Sequence, residues 1–332
     1  MVSGLFFWLY FTASVQRMGA PNPISGCKFV SGQYQSSYLE LEWLKNIHIW
    51  QYEYCKHMNA SSQEIITLQR YVEHHTGRFR NNSLSHLRAR NRHQFMSSFY
   101  SVRDCGTVIK RQRSFIEPLF ASLRHPRAIV CSEQASKPDP IFIMNAAYIV
   151  LESGSSLQSR STPRRLYFDV GASSFSGLSQ QWMLSAYRDR GIVFDRILLW
   201  EAKQAYGADI FGDIPPDLYS AYQHFNIAVN ANMTDPRNPL NILRTIATPA
   251  DFVSFKLDID SNHIEMAFVT QILNDPIYKT LIDEFFFEHH FNFPPLVNCC
   301  WRKTADRKLR LNDSYYMFLQ LRNLGIRAHY WP

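Results

Sequence analysis

From residue 164 onward, short apolar runs alternate with stretches whose apolar residues recur at helical spacing. "RRLYFDV" predicts a buried strand, and "LSQQWMLSAYRDRG" predicts a helix closed by Gly191. "FDRILLWEA" is a second strand, followed by a Pro-interrupted segment from Phe211 to Tyr222. "FNIAVNA" reads as the third strand before the helix "NPLNILRTIAT", and "DFVSFKLDID" as the fourth before "HIEMAFVTQILNDPIYKTLI", which is interrupted at Pro276. "DEFFFEHHF" is a fifth strand, and a long loop, the helix "DSYYMFLQLRNLG" and the strand "IRAHYWP" complete the pattern. This alternation specifies an α/β fold, a mostly parallel sheet with helices on both faces. Right-handed crossovers then bring the strand C-termini to one edge, where ligands bind in open sheets of this kind.

The first half of the chain is patterned differently. Residues 36–75 predict helix, with Leu39, Leu41, Leu44, Ile47 and Trp50 at roughly helical spacing. A basic, loop-rich stretch runs to about residue 113, and "SFIEPLFASLRHP" reads as a short helix ended by Pro126. "PIFIMNAAYIVLES" has the composition of a buried strand or two short ones, and a Ser/Gly-rich linker spans 153–163. At the N-terminus "GLFFWLYFTASV" is too short to span a membrane but suits the apolar core of a signal peptide or anchor, although no positive charge precedes it. The expected division is a signal peptide or anchor at 1–20, a mainly helical N-terminal region at 21–160 packing on the sheet, and the α/β domain at 161–332.

Composition narrows the class. A hydrophobic content of 46% with 14% aromatics is that of a chain with a real core, which excludes disorder. The net charge of +7 draws on clusters such as Arg78, Arg80, Arg88, Arg90 and Arg92. Without interleaved aromatics these read as a solvated face, and no specific nucleic-acid partner is expected. The six cysteines show no spacing suited to zinc, and their even number permits disulfides. Four Asn-x-Ser/Thr sequons, at Asn59, Asn81, Asn232 and Asn312, fit passage through the secretory pathway, with membrane association through the N-terminus. Nothing in the pattern sets an oligomeric state.

Polar residues gather where the predicted strands end: Asp169-Val170-Gly171-Ala172, Glu201, Asn230-Ala231-Asn232, Asp258-Ile259-Asp260 and Glu288-His289-His290. Gly171 supplies a turn without a Cβ, so that backbone can approach a ligand closely. Glu201 is placed to accept both hydroxyls of a ribose, although its separation of 32 residues from Asp169 exceeds the usual ~20. The absence of a G-x-G-x-x-G fingerprint or phosphate loop argues against NAD and ATP and leaves a nucleoside-type ligand.

In this order "YFDVGAS", "ILLWEAK", "FNIAVNA", "DFVSFKLDIDSNHIE" and "LIDEFFFEHH" resemble the successive motifs of class I S-adenosylmethionine-dependent methyltransferases, and most closely the FkbM-type family. The resemblance covers residues 164–332 and implies a Rossmann-like sheet with S-adenosyl-L-methionine as cofactor. It implies that Asp169, Gly171, Ala172 and Ser173 line the methionine end, with Glu201 and Asn230 also on the cofactor side, and that Asp258 sits at the methyl-transfer edge. Ser173 stands where the family has Asn, Ala202 where it has Pro, and Asp260-Ser261 where it has Glu-Gly.

Methyl transfer from a sulfonium is an in-line displacement, so the protein aligns the reactants and removes a proton from a hydroxyl acceptor, here a small molecule or glycan. Asp258, Asp260, His263, His289 and His290 are candidates for the base, and strand alternation turns His289 and His290 to opposite faces. Asp258, Asp260, Glu288 and a histidine also have the donor types of an oxygen/nitrogen metal site, but spacing alone assigns no metal ligand. Two other classes stay open: a secretory glycosyltransferase using Asp258-x-Asp260 with Mn²⁺, and a methyltransferase-like fold retained as a non-catalytic binding module.

Overall fold

The structure is a computed structural model. It describes residues 28–75, 92–104, 109–119, 131, 146–157, 163–172, 175, 178–203 and 210–331. The apolar segment at 1–20, Arg78 to Arg90, Asn81, Ser173 and residues 120–126 of the expected helix 114–126 lie outside the described residues, while residues 114–116 of that expected helix are strand.

Strands β1 (Lys28–Gln35), β2 (Ser97–Asp104) and β3 (Ile109–Ile116) form an antiparallel sheet in the order β1-β2-β3. The loop-rich reading of the basic stretch to residue 113 is therefore corrected, and the expected N-terminal helices are accompanied by a sheet. Helices α1 (Tyr38–Lys45), α2 (Ile47–Ala60) and α3 (Ser62–His75) lie between β1 and β2. Ser37 caps α1 by accepting from the Glu40 amide at 3.1 Å, the role expected of a hydroxyl there. Within "PIFIMNAAYIVLES", where a strand or two short ones are expected, residues 146–148 form a turn of 3₁₀ helix, and residues 140–145 lie outside the described residues.

The second half is a six-stranded, all-parallel sheet, with β4 (Arg165–Val170), β5 (Arg196–Trp200), β6 (Tyr222–Phe225), β7 (Phe252–Leu257), β8 (Glu284–Phe287) and β9 (Arg327–Tyr330) in the order β6-β5-β4-β7-β8-β9. The crossovers contain α4 (Leu178–Arg188), α5 (Pro239–Ile246), α6 (Asn262–Asn274) and α7 (Leu311–Asn323). Being covered on both faces, β7 is buried at every position, which explains its almost unbroken apolar run. The third strand ends at Phe225 rather than in "FNIAVNA", so Asn230 lies in the following loop.

Alternation divides the core in two. Leu166, Phe168 and Val170 of β4 pack with α5, α6 and α7, whereas Tyr167 packs with Tyr187 of α4 and with Trp50 and Tyr54 of α2. The latter face also carries a buried polar line across the sheet: Asp169, Lys256, Ser254, Glu284 and His329. Tyr187 donates its hydroxyl hydrogen to Glu284 and packs edge-on against Phe286.

Candidate functional site

The topology reverses direction between β4 and β7, where neighbouring crossovers diverge and leave a crevice at the strand C-termini. A cleft of about 540 Å³ opens there, lined by Gly171, Glu201, Asp258 and Asp260 among others, with Ile227 and Ile264 as apolar walls. Four residues expected at a ligand site from the sequence thus share one cavity.

Gly171 is required, but for a reason that differs from the expected one. It has φ +94°, and a Cβ there would lie 1.6 Å from the Asp258 carbonyl oxygen. The Gly171 and Ala172 amides both donate to the Trp200 carbonyl at 2.9 Å. The glycine therefore lets the β4 turn press against the end of β7. Ala172 is buried beneath the turn.

Asp169 is fully buried below the cleft, where Lys256 Nζ lies 3.1 Å from its Oδ1 and 3.1 Å from Asp258 Oδ2. Burial disfavours the Lys256 ammonium, but the two carboxylates outweigh this and raise its pKa. Trp331 Nε1 also donates to Asp258 Oδ2 at 3.1 Å. Burial pushes the Asp258 carboxyl up, Lys256 pulls it down, and Glu288 beside it pushes it up again, with the balance at about 7. Its side chain is still 22% exposed toward the cleft.

Glu201 follows β5 directly, and its Oε1 accepts from the Lys203 amide at 2.6 Å. Asn230 is not drawn into the cleft lining; its side chain donates to Asp235 at 2.8 Å in the loop after β6. The expected strand "DEFFFEHHF" stops at Phe287, so both histidines follow β8 rather than lie in it, and they turn to different surroundings. His290 Nε2 lies 3.1 Å from Glu288 Oε2 and 3.9 Å from Asp260 Oδ1, whereas His289 is packed between Phe287 and Phe291. This removes His289 from the candidate bases. His263 is exposed and sits 3.3 Å from Ser261 Oγ.

No family model, curated protein or solved structure matches this chain. Its α/β architecture rests on the sheet itself, six parallel strands flanked by helices and compatible with a Rossmann-like fold.

Several contributors were given no role in the sequence reading. Lys256 and Glu265 fall inside the quoted β7 motif, and a lysine on the same strand face as Ser254 in an otherwise apolar run was the available signal. Trp301 Nε1, which donates to Glu288 Oε1 at 2.7 Å, and Trp331 reach the site from distant segments and carry no local signal.

Proposed function

We propose that the cleft binds S-adenosyl-L-methionine and that the protein methylates a hydroxyl of a small-molecule or glycan acceptor. The observation that carries this reading is the convergence of Glu201, Gly171 and Asp258 on one cleft at the sheet's switch point. Glu201 has the position and chemistry to accept the ribose hydroxyls, and the cleft volume lies in the range of small-molecule sites. Asp258 and Asp260 at the rim favour a cationic sulfonium over an anionic diphosphate. When bound, the cofactor supplies an electrophilic methyl group. With its carboxyl raised to about 7, Asp258 is matched to take the acceptor's proton near neutral pH, while Asp260 faces the incoming acceptor.

Asp258 is turned toward Lys256 and Trp331, which counts against a grip in which Asp258 and Asp260 together hold a nucleotide-sugar cation. The Cys55–Cys131 disulfide supports an oxidising, secretory compartment.

Calorimetric titration of the full chain with S-adenosylhomocysteine should give saturable binding. Glu201→Ala should weaken it at least about tenfold, the scale of a lost charged hydrogen bond. Absence of binding at millimolar ligand, or an unaltered Glu201→Ala variant, overturns the cofactor assignment. Binding of a nucleoside diphosphate sugar with Mn²⁺ in its place would establish the glycosyltransferase reading.

A further inference from the structure

We propose that residues 302–310, a loop beside the cleft, are a docking surface for an acidic glycan, a sugar chain bearing carboxylate or sulfate groups that supplies the acceptor hydroxyl. Arg302, Lys303, Arg307, Lys308 and Arg310 lie within this short stretch, and all are exposed. None of them joins an ion pair among the described residues. The acids nearby turn to the backbone instead. Asp306 Oδ1 accepts from the Lys308 amide at 2.8 Å, and Asp313 Oδ2 from the Arg310 amide at 2.8 Å. Arg307 Nη2 donates to the Arg302 carbonyl at 3.2 Å, which brings its guanidinium onto the backbone of another basic residue. Elsewhere exposed arginines are answered within the chain, Arg188 by Asp217, Arg237 by Asp235 and Arg244 by Asp275. Like charges gathered without such partners repel, and a polyanion supplies the countercharge.

The loop is fixed to the segment that follows β8. The Asp306 amide donates to the His290 carbonyl at 3.0 Å, and the Asn292 amide to the Leu309 carbonyl at 2.8 Å. Trp301, buried immediately before the loop, donates to Glu288 at 2.7 Å. His290 lies 3.9 Å from Asp260 of the cleft lining, so the basic stretch adjoins the cleft on its β8 side. With its backbone already held, binding has to order side chains and not the loop itself. Charge thus divides the region, with Asp258 and Asp260 on the cleft and cations beyond them. One sugar presents its hydroxyl to Asp258 while acidic groups of neighbouring sugars rest on the loop. The stretch contains no aromatic residue on which a nucleobase could stack, which favours a sugar chain over a nucleic acid.

The acceptor role rests on the methyl-transfer reading, whereas the docking surface is tested without cofactor. Failure of S-adenosylhomocysteine binding therefore removes the first and failure of glycan binding the second. The full chain is titrated with fluorescein-labelled dextran sulfate, oligogalacturonate and plain dextran of equal length, followed by fluorescence anisotropy. At least one acidic chain should bind saturably and more weakly as salt rises, and plain dextran should not bind. Which acidic chain binds separates sulfate from carboxylate recognition. Arg302→Gln/Lys303→Gln/Lys308→Gln should weaken binding at least about tenfold, the combined effect of three exposed charge contacts, with the thermal midpoint kept. Arg188→Gln/Arg244→Gln/Lys279→Gln removes the same charge ahead of β5, β7 and β8, at the opposite edge of the sheet, and should bind within about twofold of wild type. Equal weakening by both triple variants, or no saturable binding of either acidic chain at about 1 mM, overturns the surface. Tighter binding of a single-stranded oligonucleotide of equal charge overturns the glycan assignment.

Discussion

Gly171 shows how closely a single position is constrained. With φ +94° and room for a Cβ only 1.6 Å from backbone, alanine there requires β4 and β7 to separate at their C-terminal ends. Gly171→Ala should therefore destabilise the protein by on the order of 3 kcal/mol or more, read as the urea midpoint, through strain and overpacking together. Ser173, two residues on, lies outside the described residues. Gly171, Glu201, Asp258 and Asp260 were legible in the sequence because each follows closely on the apolar run of a buried parallel strand. The end of β8 at Phe287 was not, since the polar Glu288-His289-His290 that follows it read as a continuation of the strand. The pairing of Lys256 with Asp169 and Asp258 was not, because it depends on which strands become neighbours. Asn230 was misplaced with its strand.

Among the elements, the central strands were the readable ones and the peripheral strands were not. The edge strand β6, "YQHF", carries only one buried position, so the more apolar "FNIAVNA" beside it competed for the assignment. Strand β3, "IKRQRSFI", carries Lys110, Arg111 and Arg113 and buries only Ile116 among its described side chains, so it reads as a charged loop until its partner β2 is known. The β8–β9 pair carries a pH dependence. Burial pushes the Glu284 carboxyl up, but hydrogen bonds and charge from His329 and Arg327 hold it down to about 2. Its stabilisation is present above the unfolded value of 4.5 and is lost as pH falls toward 2. His329 behaves oppositely: burial lowers it, Glu117 and Glu284 outweigh this and raise it above 6.5, so its stabilisation is complete below 6.5 and is lost as pH rises through the raised value. Thermal midpoints measured across pH should peak between these two limits, and Glu284→Gln should flatten the acid limb. A midpoint that is unchanged on acidification to pH 3 would contradict this account.

At the scale of the whole molecule, the N-terminal section is fastened to the sheet by buried polar contacts. Glu117 meets Arg322 Nη2 at 3.0 Å and His329 Nδ1 at 2.7 Å, while Glu40 receives the Tyr315 hydroxyl at 3.0 Å and the Leu119 amide at 2.9 Å. The Cys55–Cys131 disulfide adds a covalent tie across a separation of 76 residues. Replacing both cysteines with serine should cost about 4 kcal/mol on a chain-entropy basis, visible in the denaturation midpoint. The attachment of this section was not legible, since partners such as Glu117 and His329 are 212 residues apart, and residues 154–157 of the expected Ser/Gly linker form a helical turn that buries Leu157. That distance has a consequence for biosynthesis. Glu117 leaves the ribosome long before Arg322 and His329, so its carboxylate waits for α7 and β9 before it is neutralised. The fastening of β1–β3 and their helices to the sheet is thus set by α7 and β9, and a ribosome stalled before β9 would display that section unfastened to chaperones.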